Sequence, residues 1–154
     1  MRRFVLIGLI ISTSLAAAPV AARASDDSVR QVVQQQAERQ TKQDAKFKKA
    51  VKTLKTRAQF VKARTATIAQ KKSVDTFHKA VKAETADSDQ VKSGRTELLK
   101  GLTLYNVGLE RFRKALTEAI RTNGRGGVKK ARSALKTLNH AVDMVSSGAR
   151  KIHG

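Results

Sequence analysis

The chain has 154 residues, enough for a single domain with a modest core, and carries 32 Lys and Arg against 12 Asp and Glu, a formal net charge of +20. It contains no cysteine and no tryptophan, and aromatic residues make up only 4%. Disulfides, thiolate nucleophiles and cysteine metal sites are excluded, and any core must be built from Leu, Val, Ile, Ala and a few Phe.

Residues 1–24 read as an export signal. Arg2 and Arg3 supply a positive start, Phe4 to Ala18 an apolar run, and Ala22-Arg23-Ala24 a small-x-small cleavage motif before Ser25. Pro19 disfavours cleavage after Ala18. The apolar run falls short of the roughly 20 residues that cross a bilayer, so no stable membrane span is expected after signal removal. The expected location is periplasmic or secreted. Loss of Arg2, Arg3 and Arg23 leaves 29 basic residues against 12 acidic. Such an excess repels itself and is tolerated where an anionic partner exists or where solubility is the aim. Outside the cytoplasm, the candidate partners are wall polymers, lipopolysaccharide, lipid headgroups, extracellular nucleic acid or an acidic protein.

From residue 25 to 43 the chain is polar and rich in Gln. Ser28-Val29-Arg30-Gln31 fits a capping box, which predicts a helix start there, but only Val29, Val32, Val33 and Ala37 offer themselves for burial. A peripheral helical arm is expected. Residues 44–85 follow, with Phe47, Val51, Leu54, Ala58, Val61 and Ile68 on one seam and Phe60, Ala63, Val74, Phe77 and Val81 on another. Neither Gly nor Pro occurs between Ser28 and Ser93, and the drift between the seams suits one continuous helix. A break near 70–73 is the alternative.

Asp87, Ser88 and Asp89 are turn and N-cap residues for a helix over about 89–122. Its seam is Val91, Leu98, Leu102, Tyr105, Leu109, Phe112, Leu116 and Ala119, interrupted at Arg95. Beside that seam a small residue recurs every seven places: Gly94, Gly101, Gly108 and Ala115. Each glycine costs about 1 kcal/mol of helix propensity, so something must come close to this flank, and a neighbouring helix of the same chain packed at short range is the expected explanation. Asn123-Gly124-Arg125-Gly126-Gly127 ends the helix in a tight turn, and a last helix spans about 127–152 with a regular seam from Val128 to Ile152. The expected fold is all-α: an elongated, coiled-coil-like antiparallel three-helix bundle with an N-terminal arm, or a four-helix bundle if the break at 70–73 is real.

Charge is unevenly spread. Lys42 to Arg64 holds nine basic residues and one acid, Arg111 to Lys136 holds nine and one, and Ser73 to Val91 has two basic residues against four acids. Folding an unbroken helix back near residue 86 sets position 64 level with about 108 and 42 with about 130, gathering the basic blocks at one end. The candidate anion-binding residues are Lys48, Lys49, Lys52, Arg113, Lys114, Arg121, Arg125, Lys129 and Lys130. Gly126 and Gly127 would leave amides free for a phosphate or sulfate at the last helix start.

Catalytic chemistry is not expected. Asp75 with His78, and Asp87-Ser88-Asp89, fall short of a metal-ligand set, so neither a metal nor a cofactor is predicted. His140 lies two turns from both Ser133 and Ser147, too far to activate either within the helix. Contact with nucleic acid would be non-specific and electrostatic, since the Phe residues lie on core seams. The expected function is a non-catalytic exported protein that binds anionic envelope polymers or headgroups through one positive end. The rival expectation is a scaffold that receives a partner helix, or its own copy, on the Gly94/Gly101/Gly108 flank.

Overall fold

The computed structural model describes the backbone of residues 20–154 and the side chains of residues 25–154; most of the expected export signal lies outside the described residues. Four helices follow in order: α1 (Val20–Val51), α2 (Arg57–Ala83), α3 (Asp89–Arg121) and α4 (Val128–His153). Successive helices pack antiparallel around one core, in which Leu98, Leu109, Phe112, Leu116 and Ile152 are among the largest fully buried side chains. Burying each such side chain contributes about 1.5–3 kcal/mol.

The fold is an all-α bundle of four helices. Its extra break falls at Lys52–Thr56, not at 70–73, which lies inside α2. The stretch 44–85 is therefore not one helix. No Gly or Pro causes the break; Thr56 and Gln59 do, through a reciprocal capping box in which Gln59 N donates to Thr56 Oγ1 (3.3 Å) and Thr56 N donates to Gln59 Oε1 (3.1 Å). Ser28 caps nothing, because it sits within α1 and its hydroxyl donates to Glu84.

The segment 25–43 is likewise no peripheral arm. Val29 and Val33 are fully buried, Gln40 is 5% exposed, and Ser73 Oγ donates to Gln40 Oε1 at 2.8 Å. Polar pairing with α2 compensates for the poor apolar content of α1.

α3 and α4 form the tightest seam. A Cβ on Gly94 would stand 2.8 Å from the carbonyl oxygen of Gly148, and one on Gly101 2.8 Å from Val145 N. Small residues on α4 answer those on α3: Gly127, Ala134, Ala141 and Gly148 also recur every seven places, and all four are buried. Gly94 meets Gly148 and Ala115 meets Gly127, while Gly101 receives Val145 and Met144 and Gly108 receives Leu138. The glycine flank is thus filled by a helix of the same chain and is not open to one from another molecule. Arg95 interrupts the α3 seam for a structural reason: its guanidinium donates to Val81 O (3.1 Å) and Lys82 O (2.9 Å), capping the end of α2.

Gly101→Leu is expected to force α3 and α4 apart and lower stability by about 3 kcal/mol in urea denaturation, whereas Val107→Leu, at an exposed site, should change little. An unchanged midpoint for Gly101→Leu would show that the close approach is dispensable.

Candidate anion-binding end of the bundle

Four helix ends and two turns meet at one pole. The Phe47 ring packs edge-on against Phe112 with centroids 6.0 Å apart, which brings the end of α1 beside α3. Phe60, in the first turn of α2, lies against Gly124, on which a Cβ would stand 3.2 Å from the ring. Gly127, with φ 81°, tucks against Ala115 and Ala119, and Asn123 (φ 49°) turns the chain; both positions are left-handed, which Gly and Asn tolerate.

The opposite pole is knit by polar side chains. Ser25 Oγ donates to Thr85 O (2.6 Å), the backbone amides of Asp87 and Ser88 donate to Asp26 Oδ1 (2.9 and 3.3 Å), and Arg30 Nε donates to Ile152 O (3.0 Å).

The nine candidate cations divide into two sets. Arg113 donates to both oxygens of Glu110 (2.9 and 2.7 Å), with Lys114 4.0 Å from the same carboxylate, and Lys130 pairs with Glu118 at 2.8 Å. Lys48 is half-buried and interacts with Asp44. These four are partly neutralised, and Lys114 faces the groove between α2 and α3 beside His78 and Asn106. Lys49, Lys52, Arg121, Arg125 and Lys129 are exposed, with no ion-pair partner among the described residues. Lys55 and Arg57 join them. Reading the chain as an unbroken helix hid these two; the Thr56-x-x-Gln59 pattern was the signal that exposes them.

The early turn also moves the levels along the rod. Gln70 Nε2 donates to Asp44 Oδ1 and, at 3.2 Å, to Tyr105 OH, so Lys42 lies near mid-bundle and not level with residue 130. Lys42 to Arg64 is therefore not a block running along one helix but a hairpin, with its turn at the pole.

Helix starts differ in how their free amides are met. α2 has its capping box and α3 has Ser88 and Asp26, whereas α4 begins at Gly127 with no side-chain cap. The amides of Gly124 and Gly126 are used within the turn, by Ala119 O and Thr122 Oγ1. Positive partial charge at the α4 start therefore adds to that of Arg125 and Lys129.

Asp75 and His78 are engaged elsewhere: Asp75 accepts from Lys71 (2.8 Å) and Asn106 (2.7 Å), and His78 pairs with Thr103 (3.3 Å). Among the described residues no three His, Asp or Glu side chains converge, and no helix is long and apolar enough to cross a membrane. Comparison of the chain with protein-family models, with curated proteins and with solved structures returned no match.

Two aspartates respond oppositely to their surroundings. Burial pushes the Asp26 carboxyl up, but hydrogen bonds from the Ser88 hydroxyl and the amides of Asp87 and Ser88, helped by Arg30, outweigh it and hold the pKa below 3.8. For Asp44 burial prevails over hydrogen bonds from Gln70 and Gln40 and over Lys48, and the pKa lies above 3.8. The Asp26 carboxylate stabilises the fold above 3.8, a contribution lost as pH falls through its lowered folded-state pKa. The Asp44 carboxylate costs stability above its raised folded-state pKa, a cost relieved as pH falls toward 3.8. Asp26→Asn should therefore destabilise the protein at pH 7 and Asp44→Asn stabilise it, with both differences shrinking in acid when thermal midpoints are followed from pH 7 to about pH 3. Equal signs at pH 7 would refute this assignment.

Proposed function

We propose that the protein is an exported, non-catalytic binding protein whose cationic pole holds anionic polymers or clustered lipid headgroups of the cell surface. One observation carries this reading. The pole gathers Lys49, Lys52, Lys55, Arg57, Arg121, Arg125 and Lys129, all exposed, while no acid occurs in residues 45–74 or 119–142. The nearby Glu118 is already paired with Lys130. Seven unneutralised cations on a small surface focus the field of the whole molecule and favour a ligand with many regularly spaced negative groups. The positive partial charge of the α4 start adds to that of Arg125 and Lys129. Phe47, Phe60, Phe77 and Phe112 are all buried, so base stacking plays no part, and nucleic acid would bind only as another polyanion.

Lys52, Arg121, Arg125 and Lys129 reversed together to Glu should abolish retention on a polyanion column at about 0.15 M salt, where longer-range attraction is screened. Reversing Lys72, Lys79, Lys82 and Lys100, exposed residues of the helix bodies, changes net charge equally and should leave retention largely intact. Equal losses in the two variants would assign binding to overall charge and remove the pole from the account.

A further inference from the structure

α1 is the helix least committed to its place. Its inner stripe alternates at heptad spacing between polar and apolar, as Asp26, Val33, Gln40 and Phe47, and it packs mainly on α2. Between α1 and α4 a narrow gap of about 20 Å³ remains, floored by Val74, Phe77, Leu102 and Tyr105, room for about one water. The α1–α2 contact adds to the buried Val29, Val33 and Phe47 two hydrogen bonds, from Ser73 to Gln40 and from Gln70 to Asp44, which recognise one seat.

The turn leading out of α1 is unusual for a hairpin. Lys52-Thr53-Leu54-Lys55-Thr56 holds no Gly or Pro, so every residue in it can be helical, and the Thr56–Gln59 box holds the break. Five cations and no acid crowd Lys48 to Arg57. We infer that this turn is a hinge through which α1 exchanges between two copies of the chain: α1 and α2 straighten into one helix, and each α1 takes the α1 seat of the other copy.

The topology permits the exchange. In its own molecule α1 runs toward the cationic pole and α2 runs back from it. A straightened α1 therefore projects from that pole, and it enters a second molecule in the native direction only if the two poles face each other. Every contact made by α1 is then kept, and only the five-residue turn changes, which is the condition under which swapping costs least. The occupant is a second copy because the seat already matches α1, down to the Asp26 carboxylate that accepts from the Asp87 and Ser88 amides. Facing poles repel, so exchange should grow as salt rises. This inference does not depend on polyanion binding.

The test uses the absence of cysteine. Ser25 Oγ and Thr85 Oγ1 lie 3.2 Å apart, so the full chain carrying Ser25→Cys and Thr85→Cys forms a disulfide within one chain when closed and between two chains when exchanged. After incubation at high protein concentration in about 0.5 M salt, where charge is screened over a few ångströms, oxidation and a non-reducing gel should show covalent dimer. Its fraction should rise with protein concentration and with salt. Adding Thr56→Ala and Gln59→Ala should raise that fraction about tenfold, the effect of removing a cap of typical strength. Adding Thr53→Pro, which bars a helix through the turn, should abolish it. Covalent monomer under every condition, including the uncapped variant, would overturn the inference. So would a dimer by light scattering whose disulfides stay within each chain, a dimer fraction that falls with salt, or a dimer that survives Thr53→Pro.

Discussion

The near-contact of α3 and α4 sets the frame for everything else in this molecule. Small residues along α3 let the two backbones approach until a single added Cβ at Gly94 or Gly101 would collide with the opposite main chain. Each glycine weakens its helix by about 1 kcal/mol. That loss is offset by the dense packing of Leu98, Leu109, Leu116 and Ile152 alongside. The heptad-spaced small residues also admit essentially one register, since a shift of one residue would drive Leu138 or Val145 into a backbone. Register then places the 122–127 turn at the end of the rod and leaves the outer face of α3 for α2.

From that hairpin the electrostatics follow by geometry. Two stretches without acids, 45–74 and 119–142, each contain a turn, and antiparallel packing puts both turns at the same end. Like charges brought together in this way oppose folding, but here they sit on exposed tips where water and salt screen them. Acids that would have offset them are spent elsewhere. Glu110 and Glu118 hold Arg113 and Lys130, while Asp26 and Glu84 tie α1 to the start of α3 and the end of α2.

Much of the fold was legible in the pattern of residues, because Leu, Val and Phe at helical spacing and an Asn-Gly-x-Gly-Gly turn have few other readings. The break at Lys52–Thr56 was not. Thr56-x-x-Gln59 and Ser28-x-x-Gln31 are the same local signature, and only the first begins a helix. Ser28 is diverted by a tertiary partner, Glu84, that lies 56 residues away, a distance no short window reports. The α1 segment misled for a related reason: Gln40 looks solvent-bound until Ser73 on another helix is placed beside it. At the pole, counting charge found the region but not which cations are free. Arg113 and Lys130 look as available as Arg121 until Glu110 and Glu118 are located in space.

The polar layer at the centre of α1 shows what this arrangement gains beyond stability. Asp44 is buried enough that its carboxylate is disfavoured, and Gln70 Oε1 and Asn106 Oδ1 are buried with no hydrogen-bond partner among the described residues. Apolar side chains of similar size would make a more stable seam, since an unsatisfied buried group costs about 1–3 kcal/mol. What Gln40, Asp44, Gln70 and Ser73 provide is a preferred alignment of α1 on α2, because sliding either helix by one turn would break both the Ser73–Gln40 and the Gln70–Asp44 pairs. That alignment determines where α1 ends. It sets Lys48 and Lys49 beside the turn that carries Lys52 and Lys55, so the layer that weakens the seat of α1 also positions half of the cationic pole.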